Sequence, residues 1–372
     1  MLSNIILFAA TASALALPPP EVNLEALLNT PITIIRDDPS DSTISTHKYS
    51  QQPIHASDDD DDDDDDDDSP LPVILWHGLG DASNADGLRD TASLLEETHP
   101  GTYVHLISAT TSPSDRSASF FGNVTEQIDL VCETLQRDPI LSTAPAVDAV
   151  GFSQGGQFLR GYIERCNNPP VRSLITFGSQ HNGISAFEKC KSATDLVCHA
   201  ANALLKSSTV WSHYVQSHVV PAQYYRDSED YENYLNYSNF LADINNERPV
   251  KNATYKKNLA SLRNFVMVMF EDDATVIPKE SGWFSQVNMT SGEVVGVRNR
   301  TIYEEDWIGL KKLDEGGNLK FEKVRGEHMQ LREKDLKRLF GEYFGPLGGK
   351  DAGRKVKKVN KVYGVEEMKS DL

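Results

Sequence analysis

The chain has 372 residues, 39% of them apolar, and a formal net charge of −19. That length suits one large α/β domain or two small ones, and the apolar share supports a packed core. An unbroken run of 11 aspartates, Asp58 to Asp68, carries most of the charge; without it the balance is −8, which lacks the basic footprint that nucleic-acid binding needs.

The first 16 residues read as a secretory signal: "IILFAA" is a short apolar core and Ala14-Leu15-Ala16 a small-x-small cleavage site. Residues 17–69 hold little periodic apolar pattern and end in the aspartate run. They read as a disordered acidic linker, because adjacent like charges extend a chain rather than cage a cation.

From residue 70 the pattern changes. "LPVILWHGLG" (71–80) is a short apolar run stopped by glycines, as in a buried strand. A helix is predicted over 87–100, ending at Pro100, and a second strand over 102–108. The next helix, 124–138, places Val124, Ile128, Val131 and Leu135 on one face. A third strand, 146–152, leads directly into a helix over 154–166 with Phe158, Leu159, Tyr162 and Ile163 inward. Further strands are predicted at 173–179, 264–270 and 319–326. Such alternation implies an α/β fold, a mostly parallel sheet with helices on both faces, spanning 70–347. Residues 180–260 break the rhythm and read as a helical insertion over the carboxyl edge of the sheet, where open α/β sheets bind ligands. After residue 347 the chain is basic and reads as a solvated tail, 348–372. No apolar run after the signal approaches the roughly 18 to 20 residues of a membrane span, so a transmembrane protein is not expected.

Cysteines number four, Cys132, Cys166, Cys190 and Cys198, which in a secretory chain suggests two disulfides among three possible pairings. None has C-x-x-C spacing, so a metal site is not expected, and no cofactor motif is present. Five N-x-S/T sequons, at Asn123, Asn236, Asn252, Asn288 and Asn299, are glycosylation candidates.

"AVDAVGFSQGGQFLR" (146–160) carries the chemistry. A strand, then G-x-S-x-G, then a helix forms a nucleophile elbow, the turn that presents the serine of α/β hydrolases. It makes Ser153 the candidate nucleophile, with Gly151 and Gly155 sparing clashes against neighbouring chain. That fold demands an acid and then a histidine further along. Of ten histidines, His328 alone lies beyond His218, just past the last predicted strand. The acid belongs at the end of the preceding strand, where Asp273 is the choice and Asp272 the runner-up. His328 would act as general base and acid, and Asp273 would fix its tautomer. The oxyanion donors would be the backbone N–H of Gln154 and, from the "HGLGD" loop, that of Leu79.

"LWHGLGD", "GFSQGGQFLRGYIERC", "GSQHNG", "NFLADINNER", "YKKNL" and "EHMQL" together resemble palmitoyl-protein thioesterases of the lysosomal type, over about residues 70–346. The resemblance implies an α/β-hydrolase fold and hydrolysis of thioester-linked fatty acyl groups from S-acylated proteins or peptides. It matches Ser153, Asp273 and His328 to the catalytic positions and Leu79 and Gln154 to the oxyanion donors. It also implies the disulfides Cys132–Cys166 and Cys190–Cys198, and a lysosomal, vacuolar or secreted location. The aspartate run and the basic tail depart from the family's pattern. Apolar residues at 203–205, 209–211 and 240–244 could supply an acyl groove, or could form the insertion's own core. A lipase or carboxylesterase on the same triad and a non-catalytic lipid-binding protein are the other functional readings.

Overall fold

The computed structural model describes residues 31–36, 69–111, 114–186, 202–205 and 207–347. The signal segment, the aspartate run, Cys190, Cys198 and the basic tail lie outside the described residues.

The elements used below are β1 (Thr33–Ile35), β2 (Val73–Trp76), α1 (Asp86–Thr98), β3 (Val104–Leu106), α2 (Asp115–Phe120), α3 (Val124–Arg137), β4 (Val147–Phe152), α4 (Gln154–Arg165), β5 (Val171–Phe177), α5 (Ala253–Leu259), β6 (Asn264–Phe270), β7 (Leu319–Val324), β8 (Gln330–Arg332) and α6 (Glu333–Tyr343). Six strands form one parallel sheet in the order β3-β2-β4-β5-β6-β7. Every residue of β2 and β4 is buried, as continuous apolar runs in a doubly covered sheet should be.

Successive strand residues point to opposite faces. Ile74, Trp76, Val147 and Ala149 therefore pack with Ile128 and Val131 of α3 and Leu159 and Tyr162 of α4. Val73, Leu75, Val150 and Phe152 pack on the other face with Leu88 and Leu95 of α1 and Leu339 and Phe340 of α6. The expected α/β class, parallel pairing and two helical layers are all present.

At the amino end of the sheet, Arg172 of β5 pairs with the fully buried Asp148 of β4. Its guanidinium also donates to the carbonyls of Gly345 (2.9 Å) and Pro346 (2.8 Å). Burial pushes the Asp148 carboxyl up to about 7, with Arg172 acting against that rise.

Between β5 and β6 the described residues form short helices and 3₁₀ turns, among them His213–His218, Val220–Tyr224, Tyr231–Tyr237 and Leu241–Ile244. A buried acid knits them together. Glu247 accepts from Arg226 (3.2 Å), Tyr231 (2.8 Å), Tyr234 (2.9 Å) and Asn245 (2.8 Å). Burial alone would raise that carboxyl, but Arg226 and Arg300 outweigh it and hold Glu247 down at about 2. Arg160 of α4 joins this segment to the sheet, donating to Glu164, Ile244 O, His181 O and Asn245 Oδ1.

One segment differs from the sequence expectation. Within the stretch read as a disordered linker, residues 33–35 form a strand paired with β8. Its anchor is Ile32, which is buried among Leu88, Met329 and Leu331.

Candidate active site

The elbow is tight enough to dictate its residues. Ser153 sits between β4 and α4 at φ 51°, ψ −124°, a region that only glycine enters freely. Its N–H donates to Phe177 O of β5 at 2.8 Å. A Cβ on Gly151 would lie 2.2 Å from the Gly156 Cα, and one on Gly155 would lie 2.3 Å from His77 O and 2.4 Å from Trp76 O. Neither position can carry a side chain without separating β4, α4 and β2.

His328 Nε2 lies 3.1 Å from Ser153 Oγ, and His328 Nδ1 lies 2.6 Å from Asp273 Oδ2. The other carboxylate oxygen of Asp273 accepts from the backbone N–H groups of Thr275 (2.9 Å) and Val276 (3.0 Å). This fixes the carboxylate plane, and with it the imidazole. The Asp273 and His328 side chains are 1% and 2% exposed. The runner-up acid, Asp272, is solvent-exposed, with its backbone N–H on Gly326 O. Geometry therefore joins Ser153 to His328 and Asp273, the three residues the sequence had put in order.

Two glycines bring the pieces together. Gly178, just past β5, has φ +56°, and a Cβ there would lie 2.9 Å from His328 Cε1. The Phe270 ring meets that imidazole edge-on at 5.9 Å. A Cβ on Gly78 would lie 3.2 Å from the Ser153 Cβ. The "HGLGD" loop thus runs against the serine, with Leu79 the next residue. Gln154 is the first residue of α4, where helix N–H groups have no partner within the helix.

The Gln154 side chain is held at both ends, by Ser119 O (3.2 Å) and the Tyr224 hydroxyl (3.1 Å). Ser119 Oγ in turn accepts from Gly80 N–H at 2.9 Å. These contacts tie α2, the loop after β2 and the 220–224 turn into one wall. Sequence reasoning missed Gly178, Ser119 and Tyr224. Gly178 alone carried a usable signal, a glycine directly after a buried strand.

Two neighbours carry shifted titrations. Burial lowers the pKa of His77, and burial raises that of Asp81. Deeper in, His181 is held well below the ordinary histidine range by burial and then by Arg160. It stacks on Phe284 and supports the segment over the site.

The Cys132–Cys166 disulfide is present and links α3 to the residue that ends α4. Cys190–Cys198 lies outside the described residues. Among the sequons, Asn236, Asn252, Asn288 and Asn299 are exposed, while Asn123 is partly buried and caps α3 through its side chain. The apolar residues considered for an acyl groove, including Leu205, Val210, Trp211, Phe240 and Leu241, are buried in the main core cluster. A cleft of about 360 Å³ opens instead among Ile32, Asp81, Asn84, Gly87 and Arg116. No described helix is long and apolar enough to cross a membrane.

A serine held in a glycine-like conformation between strand and helix, at the carboxyl edge of a parallel sheet, is how α/β hydrolases expose a nucleophile; this chain is an α/β hydrolase. The sequence profile of the palmitoyl protein thioesterase family matches residues 72–328, and the chain belongs to that family. It is 39% identical to palmitoyl-protein thioesterase 1 of Caenorhabditis elegans, over 70% of this chain and 87% of that one. It is 36% identical to palmitoyl-protein thioesterase 3 of Dictyostelium discoideum, over 67% of this chain and 82% of that one. The lysosomal thioesterase PPT2 of Homo sapiens is 28% identical over 65% of this chain and 76% of its own length. Among solved structures, Est1E from Butyrivibrio proteoclasticus aligns with a TM-score of 0.36 and 11% identity, over 74% of this chain and 87% of that one.

Proposed function

We propose that the chain removes long-chain fatty acyl groups, palmitoyl among them, from cysteines of S-acylated proteins or peptides, with Ser153 as nucleophile. The observation that carries this reading is the hydrogen-bonded series from Ser153 to His328 to Asp273, in a chain of this family.

Ser153 Oγ attacks the thioester carbonyl while His328 Nε2 takes its proton. The tetrahedral oxyanion is stabilised by the Gln154 and Leu79 N–H groups. Collapse breaks the C–S bond, and His328 returns the proton to the leaving thiolate. His328 then draws a proton from water, which attacks the acyl-serine and releases the fatty acid. Asp273 stabilises the imidazolium in both halves. A thiolate leaves readily, so the chemistry calls for no metal or cofactor.

The segment between β5 and β6 is assigned to the acyl chain because it enters the fold directly after the carboxyl end of β5; its Leu205, Val210, Trp211, Phe240 and Leu241 pack into the core, so the groove would be lined by other residues of the segment. The amino-terminal signal, the five sequons and a relative named as lysosomal support a place in the secretory route, ending in a lysosome, vacuole or the medium.

The test is hydrolysis of a palmitoyl-cysteine peptide by the full chain and by Ser153→Ala. The variant should lose at least about 10³-fold in kcat, and a fluorophosphonate should label only the parent. Turnover retained in Ser153→Ala would refute the mechanism. Faster turnover of triglyceride or short oxygen esters than of the thioester would support the lipase or carboxylesterase alternative.

A further inference from the structure

We propose that the amino-terminal segment made of Ile32 and strand β1 is a positioning element for His328, and that this enzyme needs it for full kcat. The inference rests on the reading of His328 as the general base. β8 begins two residues after His328, and its strand partner is β1, not the central sheet. Thr33 aligns with Gln330, Ile34 with Leu331 and Ile35 with Arg332.

The first bond of this pairing falls next to the base. Thr33 N–H donates to the carbonyl of Met329 at 3.0 Å. Met329 directly follows His328 and has φ +62°, a conformation uncommon for a side chain of that size, while its side chain is buried. A strained residue beside a catalytic group persists only where the surroundings over-determine it. On the amino side, the base loop is held by Asp272 N–H on Gly326 O. On the carboxyl side, β1 supplies the backbone bond to Met329.

The seat of the strand is specific as well. Ile32 is buried in the same core cluster as Leu88, Met329 and Leu331, and its backbone lies directly over Gly87 in the first turn of α1. A Cβ on Gly87 would stand 2.3 Å from Ile32 O and 2.8 Å from Ile32 Cβ. The helix therefore keeps a residue of poor helix propensity where the strand crosses it. Processing that removed everything up to residue 69 would take away a part of the active-site scaffold, whereas a cut before residue 31 would spare it.

The experiment uses the full chain with Thr33→Pro, Thr33→Ala and Gly87→Ala, beside Ser153→Ala. Proline removes the N–H that Met329 accepts; alanine keeps it. Gly87→Ala lifts the strand while putting a better helix former into α1, so a lost rate cannot come from a weaker α1. A displacement near 1 Å at a catalytic group costs up to about 10²-fold. Thr33→Pro and Gly87→Ala should each lower kcat on the palmitoyl-cysteine peptide by about 10- to 100-fold with KM within about twofold, and Thr33→Ala should match the parent. Parental kcat in Gly87→Ala and Thr33→Pro, with Ser153→Ala inactive, overturns the proposal alone. So does a raised KM at constant kcat. Should Thr33→Pro fail to fold, Gly87→Ala decides. Turnover in Ser153→Ala would instead overturn the mechanism on which the proposal stands.

Discussion

At the scale of single residues, the site concentrates conformational cost on Ser153. Its φ of 51° with ψ of −124° is a backbone state costing about 1–3 kcal/mol for a residue with a Cβ. Glycine would relax it, at an unfolded-state penalty of roughly 0.4–1 kcal/mol. Ser153→Gly should therefore be inactive yet more stable than the parent by about 1 kcal/mol, read as a higher denaturant midpoint with unchanged slope. A variant less stable than the parent would show that the turn is relaxed. The residues legible in advance were those fixed by chain order: a strand-end serine, an acid near a strand end, and the one histidine beyond residue 218. Choosing Asp273 over Asp272 needed coordinates, because adjacent acids at a strand end differ only in which one turns inward. Gly178 and Tyr224 were hidden for a related reason, since they act through space on residues distant in sequence.

At the scale of elements, α4 is fixed at both ends. Its first turn is pinned by Gly151, Gly155 and the bond from Ser153 N–H to Phe177 O; its last residue is followed by Cys166, bonded to Cys132 on α3. A sequence separation of 34 residues implies about 3–4 kcal/mol of restriction on the unfolded chain. The double variant Cys132→Ala/Cys166→Ala should lose about that much in denaturant unfolding and keep its kcat at 25 °C, because the serine end of α4 is held independently. A stability loss under about 1 kcal/mol would contradict this account. The strands and large helices were legible because each is a periodic or continuous apolar run. β1 was not, because so short a strand beside an acidic stretch carries no period, and its partner β8 lies near the far end of the folded chain. The segment over the site was legible as helical but not as charged within: Arg226 and Glu247 look like surface residues until both are buried together.

At the scale of the whole molecule, the sheet has a working edge and a closing edge. The carboxyl edge gathers residues from the ends of β4, β6 and β7. The amino edge gathers Asp148, Arg172 and the carbonyls of Gly345 and Pro346. Buried hydrogen bonds from a charged donor contribute about 1.5–3 kcal/mol each, against a total stability of about 5–15 kcal/mol. A chain ending at residue 342 gives up both carbonyls, and with them the buried side chains of Tyr343 and Phe344. It should fail to accumulate as folded protein, whereas one ending at residue 347 should melt like the parent. Equal melting of the two would show that the arginine clasp contributes little.

That clasp has a consequence for biosynthesis. Arg172 emerges from the ribosome well before Gly345 and Pro346, and until they follow it faces a buried carboxylate with part of its donor set idle. Ser153, its strand and the Cys132–Cys166 pair can be in place by then, but the His328 loop and the clasp cannot. A nascent chain thus reaches a locked state only when translation has passed residue 346.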